Sequence, residues 1–242
     1  MKKLLIIFLF ISSPNFAQNN SIKFNVSSLL LNNYSVSYEH GFSKHTSFLI
    51  NARMMPNSVL PFATEIAKAS ANSGADFTKF KLGNTAYTAE FRYYFGKKIR
   101  SGFYIAPYLR KADFDFSVPI EIEIQDPSTL TTTVNKTQFN GKLGGLSGGL
   151  LLGIQKHLSK RFVVDIWLIG AQVGKLTGDV TASLNPYINT IMQRELAKKL
   201  DQANTDSPIP FEYVISQDKV NFKANSLAPG LRGLGLNLGF KF

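Results

Sequence analysis

Eight times along this chain a segment of about ten residues alternates large apolar side chains with polar or small ones. Successive side chains on a β-strand point to opposite faces, so a period of two predicts strands with one apolar and one polar face. The segments are 21–30, 34–40, 46–54, 84–95, 102–111, 143–156, 161–171 and the terminal GLNLGFKF, which starts near Ala228 or Gly235. In the last of these, Leu236, Leu238, Phe240 and Phe242 oppose Asn237, Gly239 and Lys241, and Gly239 leaves room on the polar face. In the first, Ile22, Phe24, Val26 and Leu30 oppose Lys23, Asn25 and Ser27. The seventh sets Phe162, Val164, Ile166 and Leu168 against Asp165 and Trp167. Pro107 falls inside the fifth, where it removes a ladder donor.

The connections alternate in character. Three are short and basic, carrying Lys44, then Lys97, Lys98 and Arg100, then Lys156, Lys160 and Arg161. Three are long, about 55–83, 113–141 and 173–226. Within them, Asn185 as N-cap and Pro186 at the first position predict a helix over 186–203, with Ile188, Ile191, Met192, Leu196 and Leu200 on one stripe. A weaker helix pattern covers 59–71. Residues 119–139 alternate about Asp126-Pro127-Ser128 and predict a hairpin that prolongs the fifth and sixth strands. The Asn32-Asn33 pair marks a tight turn.

Eight strands joined by turns at one edge and long loops at the other predict an all-β fold, an eight-stranded antiparallel up-and-down barrel. Such a barrel can be apolar inside and soluble, or apolar outside and embedded in lipid. The minority face collects Lys23, Glu39, Arg53, Glu90, Arg92, Arg110, Asp165 and Lys241, with the acids in mid-strand. Buried charges must be paired, and these acids have ample basic partners for a lumen network. The other face carries Leu, Ile, Val and Phe, with Tyr34, Tyr38, Tyr87, Tyr93 and Phe95 towards strand ends. Strands of about ten residues suit a tilted crossing of a bilayer. Lipid also requires a closed sheet, because no edge may stay unpaired. The expectation is a transmembrane β-barrel with the terminal strand pairing the first. A soluble exported barrel or sandwich is the alternative.

The start of the chain agrees with export. Lys2 and Lys3 precede an apolar run, Leu4–Ile11, and a polar stretch ending in Ala17, the anatomy of a signal peptide over residues 1–17. Residues 18–242 then form one barrel domain. The chain has no cysteine, which excludes disulfides, thiolate metal sites and catalytic thiols. Its formal net charge of +11 points, in an exported protein, to anionic lipid before nucleic acid. The basic turn residues, Lys44, Lys97, Lys98, Arg100, Lys156, Lys160 and Arg161, are expected to touch phospholipid headgroups. They lack the stacking groove that nucleic acid needs.

The signal segment, the SVSYEHGFSKHTSF hairpin, EFRYYFGKK…GFYIAPYL and the closing GLNLGFKF resemble the small outer-membrane β-barrels of Gram-negative bacteria, the eight-stranded OmpA/OmpX-like group. This resemblance implies an outer-membrane location and a terminal strand read by the barrel-assembly machinery through Leu238, Phe240 and Phe242. It does not supply an activity. Unlike OmpA, no peptidoglycan-binding domain is expected after the barrel.

His40, His45 and His157 all fall at the short-turn edge, where a lipid-modifying barrel enzyme would not place its histidine. The glycine pairs 144–145 and 148–149 suit a bent strand admitting Trp167 and Tyr108 better than a phosphate loop. The expectation is therefore no enzyme, no cofactor and no metal. The role is structural or interactive, beneath a cap built by the long loops and the 186–203 helix. A narrow pore is the alternative, and a lipid-modifying enzyme a more remote one.

Overall fold

The computed structural model describes residues 19–69, 77–126, 131–185, 187–206 and 210–242. The expected signal segment, Pro186 and the tip of the 119–139 hairpin lie outside these residues.

The fold is all-β, one antiparallel sheet of ten strands of which eight close in a ring. In chain order they are β1 (Asn20–Asn25), β2 (Tyr34–Gly41), β3 (Thr46–Val59), β4 (Lys81–Tyr94), β5 (Gly102–Asp126), β6 (Thr131–His157), β7 (Phe162–Ser183), β8 (Phe211–Ile215), β9 (Lys219–Arg232) and β10 (Gly235–Lys241). Neighbours in sequence pair from β1 to β7. The ring closes through β10, which lies against Phe162–Trp167 of β7 on one side and against all of β1 but its first residue on the other. Phe242 N–H and C=O both bond the backbone of Asn20, so the terminal strand is tied down to its last residue.

The long connections agree with the expectation over 119–139, where the fifth and sixth strands are prolonged, and differ from it over 173–226, which carries strands beside its helix. Most of their length is strand: β5 and β6 pair without interruption from Gly102↔Gln155 to Asp126↔Thr131, well past the ring. β7 leaves β10 at Trp167 and from Gly170 onward pairs with β9, and β8 folds back on β9. β5, β6, β7, β9 and β8 thus continue the sheet beyond the ring as an open wall. The helices are α1 (Ala63–Ala69) and α2 (Thr190–Asp206). α2 starts later than the Asn185-Pro186 signal suggested, because the backbone N–H groups of Leu184 and Ile188 are engaged with Asp218 and Gln217. The cap is Asn189, whose Oδ1 accepts the Met192 N–H at 2.8 Å. The apolar stripe holds for Met192, Leu196 and Leu200, which pack with Ile188, Ala182 and Val220 against the wall, whereas Ile191 is exposed.

Three local features break the simple alternation. β1 ends at Asn25, where a strand to Leu30 was expected. The Asn25 carboxamide accepts the Ser28 N–H and the Ser27 hydroxyl, turning the chain into a 3-10 segment over Ser27–Leu31. Asn32, at φ 52°, closes it. In β7, Ile169 pairs with Leu152 and Trp167 with Gly153, so Leu168 is an extra, bulged residue. The outward set therefore shifts from Ile166 to Ile169 and Val173, and Leu168 is not the outward residue expected. Between β9 and β10 the residues Gly233 and Leu234 interrupt the ladder. Before them odd-numbered residues face out, after them even-numbered ones do.

Around the ring every strand presents apolar side chains outward: Ile22, Val36, Ile50, Phe91, Leu109, Leu150, Ile166 and Leu238 are all exposed. Each forgoes about 1.5–3 kcal/mol that burial would supply. Aromatic residues gather on this surface at the short-turn end, with Tyr93 against Phe95 (ring centroids 5.3 Å apart) and Phe162 against Phe240 (5.8 Å). Pro107 points outward, and β4–β5 partners flank it at Glu90↔Tyr108 and Tyr93↔Ile105.

Candidate functional site

Inside the ring the polar faces meet. Lys23 on β1 lies 2.5 Å from Glu39 of β2 and 2.8 Å from Asp165 of β7, and it donates to Gln155. Asp165 also accepts Arg92 Nη1 of β4 at 2.7 Å and the Tyr104 hydroxyl at 2.7 Å. Arg92 returns to Glu90 on its own strand through Nε (2.9 Å) and Nη2 (2.7 Å). Arg232, the last residue of β9, completes the series with Nη1 at 2.6 Å from Glu90 Oε1. Glu39 further accepts Ser47 and the Tyr94 hydroxyl.

The result is a chain of alternating sign, Glu39–Lys23–Asp165–Arg92–Glu90–Arg232. Three acids meet three bases, and no member exposes more than 6% of its surface. Ions out of water are tolerable only when each is paired and its remaining donors and acceptors are used. The aromatic rings complete the packing: the Arg92 guanidinium lies 4.5 Å from the Tyr104 ring centroid, and that of Arg232 4.0 Å from Trp167. Tyr94, Tyr104, Leu151 and Trp167 are fully buried at this level, so the ring interior is filled by side chains.

Small residues make this filling possible. A Cβ on Gly153 would overlap the Tyr104 ring, one on Gly149 would meet Tyr108 at 2.7 Å, and one on Gly235 would meet Trp167 at 2.6 Å. Gly239 yields space to Lys23 and Val163 in the same way, as its place on the polar face of the terminal strand implied. Gly149 plays its expected part beside Tyr108, but the space for Trp167 comes from Gly235 and not from the glycine pairs of β6.

The predicted lumen set divides into three. Lys23, Glu39, Glu90, Arg92 and Asp165 form the network. Arg53 and Arg110 face inward above it and, among the described residues, reach no carboxylate: the Arg110 guanidinium donates over 3.4 Å to Thr88 Oγ1, and the buried Nε of Arg53 has no partner. Lys241 lies at the opposite end, 3.3 Å from His157 Nδ1. There the interior narrows to a void of about 10 Å³ beside Arg100, Gln155, His157 and Lys241.

Arg100 is a correction. It is expected to touch headgroups with the other turn cations, yet it is buried. It sits at φ 42° in its turn, its guanidinium donates to Ser43 O (3.1 Å) and Asn19 Oδ1 (3.2 Å), and its own carbonyl accepts Gln155 Nε2. Gly41 faces that guanidinium so closely that a Cβ would collide with it. Arg100 is thus a stopper at the short-turn end. Lys44, Lys97, Lys98, Lys156, Lys160 and Arg161 are exposed as expected. Leu238, Phe240 and Phe242 are exposed on the outer face of the terminal strand.

Sequence reasoning missed Arg232 and Gln155. A continuous alternation running back from Leu236 would have placed Arg232 on the outer face, and only the break at Gly233–Leu234 turns it inward. His40 Nδ1 is 2.7 Å from Asn20 Oδ1 and His45 Nδ1 2.9 Å from Tyr94 O. Among the described residues no group of three or more His, Asp or Glu is placed to hold a metal ion, and no helix is long and apolar enough to cross a membrane.

The model of a family described as protein of unknown function (DUF3575) matches residues 3–174. The chain belongs to this family. The match spans β1 to β6 and the ring portion of β7, hence the whole network except Arg232. No curated protein matches the chain.

Proposed function

We propose that this DUF3575 member is an integral outer-membrane β-barrel, exported through its first 17 residues, with a non-enzymatic structural or surface-interaction role. One observation carries the reading. The closed ring is apolar outside on every strand and ionic inside, the inverse of a water-soluble barrel. In water the outer belt would be a large exposed patch, whereas in lipid it is the solvated surface. Closure through β10 leaves the ring without an unpaired edge, as hydrocarbon demands.

In this reading the short turns face the periplasm, where Lys44, Lys97, Lys98, Lys156, Lys160 and Arg161 meet anionic headgroups. The wall and α2 stand on the outer side. Leu238, Phe240 and Phe242 present the assembly signal to the barrel-assembly machinery. The filled interior favours a closed barrel over a pore.

Membrane extraction tests the reading. The full chain expressed in a Gram-negative host should remain with the outer-membrane fraction through carbonate washing and migrate differently on gels when boiled. A chain that stays soluble without detergent, with no heat-modifiable mobility, refutes it. Deleting Phe242 should lower the assembled fraction several-fold while leaving export intact. In planar bilayers the protein should give no stable conductance.

A further inference from the structure

Above the ion network, at the wall side of the ring, lies a partly open recess of about 470 Å³. Arg53, Arg110 and Arg232 line it together with the neutral amides Asn33, Asn84 and Gln172, and none of the described lining residues is acidic. The three guanidiniums are close enough to repel one another: Arg53 feels both Arg110 and Arg232, and Arg110 feels Arg232. Among the described residues only Arg232 has a carboxylate partner, Glu90, reached through Nη1. Its Nε and Nη2 are buried without partners, as is Arg53 Nε.

Buried guanidinium donors almost always find acceptors, and three like charges converging on one carboxylate raise the energy of the recess. A bound anion removes both costs. After the Arg232–Glu90 pair, two positive charges remain uncompensated, from Arg53 and Arg110. Planar forks on three strands, β3, β5 and β9, suit an anion with several acceptor oxygens in a tetrahedral array.

We propose that this recess is a binding site for a phosphoryl oxoanion, held by Arg53, Arg110 and the free edge of Arg232. The group is carried either by a small phosphorylated solute or by a lipid headgroup. The site does not depend on the barrel being membrane-embedded, so it can fail while that reading stands, and the reverse.

The experiment uses the full chain in a non-ionic detergent, in phosphate-free buffer, with ionic strength held constant by chloride. Trp167, the lone tryptophan, lies against Arg232 and reports unfolding and site occupancy by fluorescence. Inorganic phosphate should raise the thermal midpoint in step with the logarithm of its concentration, by about 5 °C at a hundredfold excess over Kd. Arg53→Gln and Arg110→Gln should each abolish the rise, and Arg53→Lys should retain part of it. Among the described residues Arg53 has no side-chain partner that its loss would orphan, and Arg110→Gln serves if the first variant fails to fold. A parallel arm adds phosphatidylglycerol to the micelles in place of phosphate: a shift there alone, lost in the same variants, assigns the headgroup as the source. No concentration-dependent shift in either arm, or a shift that survives both glutamine substitutions, overturns the proposal.

Discussion

Arg92 and Arg53 lie on adjacent strands, both face the interior of the same ring, and differ completely in what surrounds them. Arg92 is fully buried, bonded to Glu90 and Asp165 and stacked on Tyr104. Arg53 has neighbours of its own sign and an idle Nε. The lower interior is an electrically neutral chain in which every charge has a partner of opposite sign, and the mouth above it holds cations that do not. The difference teaches that inward placement alone does not make a charge structural. The neutral chain holds strands β1, β2, β4, β7 and β9 together, while the mouth contributes potential and donors towards whatever enters it.

The largest break in this contrast should come from Asp165→Ala. It leaves Lys23, Arg92 and the Tyr104 hydroxyl without their shared acceptor, and loss of one partner from a buried ion pair costs about 3–5 kcal/mol. Urea unfolding in detergent should show that loss. Gly153→Val comes next, because its side chain must displace the Tyr104 ring and strain the packing by about 1–3 kcal/mol. Its unfolding midpoint should fall, and pairing it with Tyr104→Ala should recover part of the difference.

At the mouth the sign should reverse. Arg53→Gln removes a like charge and no bond, so without added anion its stability should equal or exceed the parent by up to about 1 kcal/mol. A loss comparable to that of Asp165→Ala would erase the distinction between the two levels. The smallest effect belongs to the outer wall. Lys198 pairs with Glu195 at 2.7 Å on the exposed face of α2, and Lys198→Ala should change stability by about 0.5 kcal/mol or less.

Much of this was legible in the chain. The inward set Lys23, Glu39, Glu90, Arg92 and Asp165 follows from alternation, as does the outward belt, because both depend only on the direction of successive Cβ atoms. The hairpin over 119–139 and the fixed C-terminus were readable for the same reason. What escaped lies where alternation is interrupted. The Leu168 bulge and the Gly233–Leu234 break each reverse which parity faces in, and the second hides Arg232. Arg100 escaped because a turn residue carries no alternation to read. Its inward course depends on Gly41 leaving space and on acceptors at Ser43 and Asn19.

By itself the sequence determined that this protein is a set of two-faced strands with ions on one face, since period two is a property of each strand alone. It did not determine which ions meet. Glu90 and Arg232 are 142 positions apart in the chain, and so are Lys23 and Asp165. Their pairing rests on strand register, on a bulge, and on the closure of β10 between β1 and β7. Only the folded ring sets those, and with them which arginines are neutralised and which are left facing the mouth.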